Sequence, residues 1–190
     1  VSAQPSRLPP TIRSRCNRIE FTPPARAAAL AWLGRSAAAG TDTALLLDLA
    51  GGAPLAALQA AQGDFLAQRA DLLRDLAGLS ARRADPLGCA ARWAKFDVVA
   101  VLGWLQGWLM DLVRLRLSPQ VPPLFNPDAR DQLQVLAETV HLERVFALLD
   151  EVAQSRHLLA DSPLDELLLL ENILVRWTRL TPSEATSHGG

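Results

Sequence analysis

Apolar residues recur at intervals of three or four positions along nearly the whole chain after residue 22, which is the spacing of one face of an α-helix. The only stretch in which apolar and polar residues alternate is Arg18-Ile19-Glu20-Phe21, and it has the length of a single short strand. The pattern therefore predicts an all-α protein with a small β remnant near its N-terminal end.

Three short helices are predicted before residue 64, and glycine follows each of them. The first opens at Thr22-Pro23-Pro24, because threonine is a common N-cap and proline is tolerated in the first turn. The three helices and the glycines that end them are Thr22 to Gly40, Asp42 to Leu49 with Gly51-Gly52, and Pro54 to Ala61 with Gly63. The positions expected to face inward are Leu30, Leu33 and Ala37 in the first helix and Leu45, Leu46 and Leu49 in the second.

Longer helices are predicted from Asp64 onward. The first is marked by Phe65, Leu72, Leu76 and Leu79, the second is capped by Asp85-Pro86 and carries Cys89 and Trp93, and the third runs from Asp97 to Leu117. The fourth is capped by Asn126-Pro127, the fifth is marked by Leu142, Val145, Phe146, Leu149 and Val152, and the sixth is capped by Ser162-Pro163. The apolar positions of the last helix are Leu164, Leu167, Leu168, Leu174 and Trp177. The proline-rich segment Ser118 to Pro127 is predicted to be an extended connector, and the tail from Thr181 is expected to be disordered.

The helix from Asp97 to Leu117 is apolar on most of its circumference. A helix with one solvent-exposed face would carry polar residues along that face. We therefore expect the helix from Asp97 to Leu117 at the centre of a bundle or against a partner. Its most apolar run, Val98 to Val113, is shorter than the ~20 residues that a membrane span needs, and it contains Gln106 and Asp111. No membrane association is therefore predicted.

Composition narrows the possible functions. With 19 Lys and Arg against 20 Asp and Glu, the net charge of -1 argues against a surface built as a whole to hold nucleic acid or anionic lipid, so any DNA contact is expected to be local. Cys16 and Cys89 lie far apart and favour neither a zinc site nor a disulfide framework. The absence of a signal peptide and the start at Val1 favour a fragment of a cytoplasmic protein.

Residues that could carry chemistry of their own are sparse. His141, His157 and His188 are expected at the surface, and no serine-hydrolase, metalloprotease or P-loop motif is present, so self-contained catalysis, a metal site and a bound cofactor are not expected. Gly51-Gly52 is interpreted as a helix stop rather than a phosphate cradle. The acidic residues Asp161, Asp165, Glu166 and Glu171 are expected to form a solvated helix start. The tryptophans at positions 32, 93, 104, 108 and 177 are expected to be core or interface anchors.

The stretch RLPPTIRSRC, Arg7 to Cys16, is basic and primed by proline. By residue type alone, its arginines with Arg18 could form a solvated or phosphate-binding patch, and Cys16 could be a small buried residue. The order of residues is more specific. Ser14-Arg15-Cys16, followed by a short strand and a proline-capped helix, closely resembles the Ser-Arg-Cys segment of AAA+ clamp-loader subunits, and among them the delta-prime subunits of bacterial DNA polymerase III.

The resemblance extends along the whole chain and ends in LDELLLLENIL, Leu164 to Leu174. It implies that residues 1–21 end an ATPase-like α/β domain, that residues 22–63 form a three-helix lid and that residues 64–190 form a helical collar through which subunits assemble. In this family the arginine of the motif, here Arg15, projects into a neighbouring subunit's ATP site. Subunits that hydrolyse ATP carry a sensor arginine in the lid, and here the matching run Gly52-Ala53-Pro54-Leu55 has leucine instead.

The function implied by the resemblance is that of a non-hydrolysing clamp-loader subunit. It would assemble with gamma/tau and delta subunits to load the sliding clamp onto primed DNA, with ATP bound by a neighbour and no cofactor in this chain. Two alternatives remain open: a gamma/tau-like ATP-binding subunit, which Leu55 disfavours, and a stand-alone helical adaptor in which Arg7 to Arg18 binds nucleic-acid phosphates. The adaptor predicts DNA binding that depends steeply on salt.

Overall fold

A computed structural model describes residues 9–15, 22, 24–118, 123–161 and 164–182 of the chain. Within these residues the protein is all-α and contains no strand, which confirms the predicted fold class. The helices are α1 (Pro10–Arg13), α2 (Arg26–Ser36), α3 (Thr43–Leu49), α4 (Pro54–Ala61), α5 (Phe65–Ser80), α6 (Pro86–Trp93), α7 (Val98–Leu117), a 3-10 turn (Pro127–Ala129), α8 (Arg130–Thr139), α9 (Leu142–Asp161) and α10 (Glu166–Trp177). The predicted strand at 18–21 and the tail from residue 183 lie outside the described residues.

The buried apolar side chains fall into two clusters. The smaller cluster belongs to the unit formed by α2, α3 and α4, and its fully buried members are Ala29, Leu33, Leu46, Leu47 and Ala57. The larger cluster fills the bundle formed by α5 to α10. The rings of Phe65 and Trp104 meet edge to face with centroids 5.0 Å apart, and Phe65 also packs against the smaller cluster. The start of α5 therefore contacts both cores.

Helix α7 is the central element of the bundle. It packs most extensively against α9 and α8, and its buried side chains are Val98, Val101, Leu102, Leu105, Trp108, Leu109, Asp111, Leu112 and Leu115. The expectation of a bundle centre is confirmed, and most of the apolar circumference is covered by the chain's own helices rather than left for a partner. By length and hydropathy α7 could also cross a bilayer, as could the bent pair of α3 and α4 taken together, and a buried core helix meets the same criteria.

Several helix ends have the predicted chemistry. The side chains of Asp42, Asp85 and Asp97 accept hydrogen bonds from backbone N–H groups in the first turns of α3, α6 and α7. Gly51 and Gly52 end α3 with φ of 60° and 83°, and Gly52 N donates to Leu47 O at 2.9 Å. The pair is therefore a helix stop, as predicted.

Two predicted starts are wrong, and a third lies outside the described residues. Helix α2 begins at Arg26 after Ala25 rather than at Thr22, and no side chain caps it. Asn126 does not cap α8, because its side chain is drawn into a buried polar network and a 3-10 turn precedes the helix. Helix α10 is capped by Asp165, whose carboxylate accepts from Leu168 N at 3.0 Å. The predicted Ser162-Pro163 cap lies outside the described residues.

Some predicted inward faces are also wrong. In α3, Leu47 is buried with Leu46, whereas Leu45 and Leu49 are half-buried. In α9, Leu148 rather than Phe146 enters the core. Leu164 lies before α10 and is exposed, as are Leu167 and Leu168 in its first turn. The buried residues of α10 are Leu170, Ile173, Leu174 and Trp177. Ala37 lies just beyond the end of α2.

Candidate functional site

The N-terminal segment presents Arg15 to solvent at the end of a single helical turn. Pro10 occupies the first position of α1, where its missing N–H costs nothing. Ser14 follows α1, its hydroxyl donates to Thr11 O at 3.2 Å, and Arg15 N donates to Ile12 O at 3.1 Å. The Arg15 side chain is exposed, and no hydrogen bond or ion pair joins it to another described residue.

The remainder of the predicted motif cannot be placed around Arg15. Cys16, Arg7 and Arg18 lie outside the described residues. The structure therefore brings Ser14 and Arg15 together at an exposed turn and does not test the rest of the site.

The run Gly52-Ala53-Pro54-Leu55 forms the start of α4. Pro54 takes the first helical position, and Leu55 follows it with 68% of its surface exposed. An exposed leucine at this place has no charge and no hydrogen-bond donor to offer a phosphate. The Leu55 side chain is therefore accessible but cannot form a hydrogen bond or an ion pair with a nucleotide.

A buried polar network lies inside the bundle, and no motif predicted it. The Arg69 guanidinium donates to Asp128 Oδ2 and to Asn126 Oδ1, both at 2.5 Å, and it lies 5.0 Å from the Trp108 ring centroid. Asn126 in turn donates to Asp111 on α7. Burial lowers the pKa of Arg69, while Asp128 and Asp111 act in the opposite direction and keep the guanidinium charged. The network joins α5, α7 and the turn before α8.

Cys89 is buried beneath the surface of α6. Its sulfur lies 3.1 Å from an Arg92 nitrogen, and Arg92 and Trp93 both donate to the carboxylate of Asp75. Burial, reinforced by the Asp75 charge, raises the pKa of the Cys89 thiol above its ordinary value, and Arg92 only partly opposes this. The thiol is therefore protonated at neutral pH and poorly suited to nucleophilic chemistry.

The five tryptophans and two of the three histidines lie where they were expected. Trp93, Trp108 and Trp177 are fully buried, and Trp32 and Trp104 are partly buried against the two cores. His141 and His157 lie at the surface, and His188 is outside the described residues. No group of three or more His, Cys, Asp or Glu side chains in the described part of the chain could hold a metal ion.

Two surface grooves were not predicted from the sequence. One, of about 390 Å³, is apolar and lies between α5 and α8 beside Trp177. The other, of about 890 Å³, is lined by basic side chains from three separate parts of the chain: Arg82, His141, Arg144, Arg176 and Arg179. These residues are scattered over about a hundred positions, so no local sequence signal marks them.

The only local sequence signal for the buried polar network is a carboxylate, Asp111, on an otherwise apolar face of α7.

The match to a family model covers the bundle. The model described as DNA polymerase III, delta subunit, C terminal matches residues 63–179. The structure and this match define an all-helical domain of a DNA polymerase III protein. The chain belongs to the family formed by the C-terminal domains of DNA polymerase III delta subunits.

Two curated relatives are similar along almost the whole chain. The chain is 32% identical to the DNA polymerase III subunit delta' of Pseudomonas aeruginosa over 183 residues, which are 95% of this chain and 56% of that protein. It is 33% identical to the DNA polymerase III subunit delta' of Escherichia coli K12 over 179 residues, which are 93% of this chain and 52% of that protein. The chain therefore spans about half the length of these relatives.

Proposed function

We propose that this chain is the lid and collar part of a delta-prime clamp-loader subunit. Residues 1–21 end its ATPase-like domain, residues 22–63 form the lid and residues 64–190 form the collar. The subunit assembles in the cytoplasm with gamma/tau and delta subunits to load the sliding clamp onto primed DNA. The observation that carries the proposal is the similarity to two delta' subunits over more than nine-tenths of the chain.

The proposed contribution of this chain to chemistry is Arg15, acting in a neighbouring subunit's ATP site. Its guanidinium is exposed and bonds to no described residue, so its donors are available to another molecule. A guanidinium keeps its charge and can donate two parallel hydrogen bonds to a γ-phosphate, which a lysine cannot match. Leu55, in place of the sensor arginine of ATP-hydrolysing relatives, supports a subunit that assists a neighbour rather than hydrolysing ATP itself.

The finger assignment is tested with Arg15→Ala and Arg15→Lys in the intact subunit, assembled with gamma/tau and delta. Fingers that act in trans contribute about 10³ to 10⁵ in rate at the site that they reach. Both variants are therefore expected to abolish that site's share of the clamp-loader ATPase. Sedimentation of the complex is expected to be unchanged, because Arg15 packs against no described residue.

The matched control is Arg35→Ala, which removes an exposed arginine from the last turn of α2. It is expected to leave the ATPase unchanged. Wild-type ATPase in the Arg15→Ala complex would reject the finger.

Assembly itself is tested by sedimenting this chain with a gamma/tau subunit at moderate and high salt. A complex that survives high salt is expected, since apolar contacts are not screened by ions. A chain that sediments alone and binds primed DNA with a steep salt dependence would favour the helical adaptor instead.

A further inference from the structure

The basic groove, called here the arginine groove, is an open depression of about 890 Å³ where the end of α5, the start of α9 and the end of α10 meet. Four guanidinium groups line it, from Arg82, Arg144, Arg176 and Arg179, and His141 completes its basic side chains. No Asp, Glu, Phe, Tyr or Trp side chain is among its described lining residues. Such a concentration of one charge contrasts with a chain whose net charge is -1.

The groove is a fixed structure rather than a chance meeting of long side chains. Arg144 Nη1 donates to Arg179 O at 2.6 Å, and His141 N donates to Leu180 O at 2.8 Å, so the start of α9 is bonded to the end of α10. Arg176 is held 3.1 Å from Glu151. These contacts position the backbone of the groove. Among the described residues, the ion pair of Arg176 with Glu151 is the one that joins a carboxylate to any of the four guanidinium groups.

Arg82 occupies a backbone conformation that normally belongs to glycine. Its φ is 55°, and it follows the C-cap residue of α5, the place where glycine commonly ends a helix. The other described residues with positive φ are Gly40, Gly51 and Gly52. An L-residue with a side chain is strained here, and strain of this kind is typical of positions at which the side chain has a use.

Two of the four guanidinium groups have their donors available. Arg82 and Arg179 are exposed and make no side-chain hydrogen bond or ion pair with another described residue. The hydrogen-bond partner of the Arg144 guanidinium is a neutral carbonyl, which does not offset a positive charge.

We propose that the arginine groove binds the phosphate backbone of duplex DNA. Guanidinium forks match phosphate geometry, and the described lining holds none of the large aromatic side chains, Phe, Tyr or Trp, on which unpaired bases commonly stack. Contact with about three phosphates is expected to give weak DNA binding by the chain alone. Within an assembly that already holds the DNA, the same contacts contribute more to the overall affinity. The inference rests on the proposed function only in taking the duplex part of primed DNA as the source of the bound duplex.

The test measures the affinity of the chain for a short DNA duplex over a series of salt concentrations. In the variant with both Arg82→Gly and Arg179→Ala, the slope of log K against log salt concentration is expected to flatten by about two units, or about one for each arginine removed. The control with both Arg35→Ala and Arg116→Ala makes the same charge change at exposed sites outside the groove and is expected to keep the wild-type slope.

Arg82→Gly alone supplies a second readout. It is expected to raise the melting temperature by relieving the strain of the positive φ while it lowers DNA affinity several-fold. Together these two results would exclude unfolding as the cause of weaker binding.

An unchanged slope in the groove variant, or an equal change in the control, would overturn the proposal. Tighter binding of a polyglutamate peptide than of duplex at the same salt would overturn it in favour of an acidic protein partner. Sedimentation with gamma/tau is expected to be the same for all these variants, so failure of the groove and failure of assembly are distinguishable.

Discussion

At the residue scale, a single carboxylate on α7 organises the connector that leads into α8. Asp111 is fully buried, and it accepts hydrogen bonds from Phe125 N at 3.0 Å, Asn126 N at 2.9 Å and Asn126 Nδ2 at 2.7 Å. Gly107 makes room for this contact, because a Cβ at that position would lie 3.0 Å from Asn126 Nδ2. Asp111 thereby links the connector to Arg69, whose charge needs a partner in the interior.

The Asp111→Ala variant is expected to lower the free energy of unfolding by about 3 to 5 kcal/mol, because it leaves buried donors unsatisfied and removes a buried negative charge near Arg69. Asp111→Asn is expected to fall between this variant and the wild type, since it keeps an acceptor but not the charge. Urea unfolding at neutral pH provides the measurement.

Asp150→Ala serves as the control, since it removes an exposed carboxylate from α9. It is expected to change stability by no more than about 0.5 kcal/mol. A cost below about 1 kcal/mol for Asp111→Ala would show that the network is dispensable for stability.

At the element scale, α10 divides its leucines between the core and the surface. Leu170, Ile173, Leu174 and Trp177 are buried, and Trp177 Nε1 donates to Ser80 Oγ at 2.9 Å, which fixes this face of α10 against α5. Leu167 and Leu168 lie on the first turn with 40% and 62% of their surfaces exposed, and Leu164 and Leu158 are exposed nearby in the sequence. This group of leucines is the part of the proposed collar that we expect to contact a neighbouring subunit.

Replacing Leu167 and Leu168 together by glutamate is expected to leave the chain folded and to weaken the proposed complex with a gamma/tau subunit. Losing the burial of two half-exposed leucines costs about 2 kcal/mol, or roughly thirtyfold in affinity. Circular dichroism checks the fold and sedimentation equilibrium measures the affinity.

Val99→Glu on the exposed side of α7 is the control and is expected to retain wild-type affinity. An equal loss of affinity in the leucine variant and in Val99→Glu would show that the exposed leucines are not the assembly surface.

At the scale of the whole molecule, the two cores differ greatly in size. The unit of α2, α3 and α4 has a few buried side chains, of which Ala29 and Ala57 are small, whereas the bundle of α5 to α10 encloses three tryptophans and a long series of leucines. Arg26 and Asp48 form an exposed ion pair between α2 and α3, which adds little to stability because water screens it. The smaller unit therefore depends on a modest apolar core.

Native-state hydrogen exchange is expected to show this difference. Amides of α3 and α4 should open at a free energy several kcal/mol below that of α7, since less apolar surface is covered in the smaller unit. Measurement under conditions where exchange reports opening equilibria gives both values in one sample. Equal protection of α4 and α7 would mean that the two cores unfold as one cooperative unit.

The helical organisation could be predicted largely from the sequence. Spacing of apolar residues located the long helices α5, α7 and α9, and the aspartate-based starts of α3, α6 and α7 were predicted because a cap depends on residues that are close in the chain. The start of α8 was missed for the opposite reason. Asn126 has an N-cap residue type, but Asp111 and Arg69 compete for its side chain from distant parts of the sequence.

By itself the sequence determined the all-α class, because helical class depends on local pattern, and it limited α7 to a bundle centre or a partner interface. Arg15 stays a prediction that rests on resemblance to an ordered motif. Only the tertiary structure decided which leucines of α10 face water, how Asp111 is satisfied and that Arg82, Arg144, Arg176 and Arg179 share one groove. A helix with apolar residues on several sides does not specify which side its neighbours will cover. Electrostatic clusters built from three helices likewise form only when the packing of those helices brings the charges together.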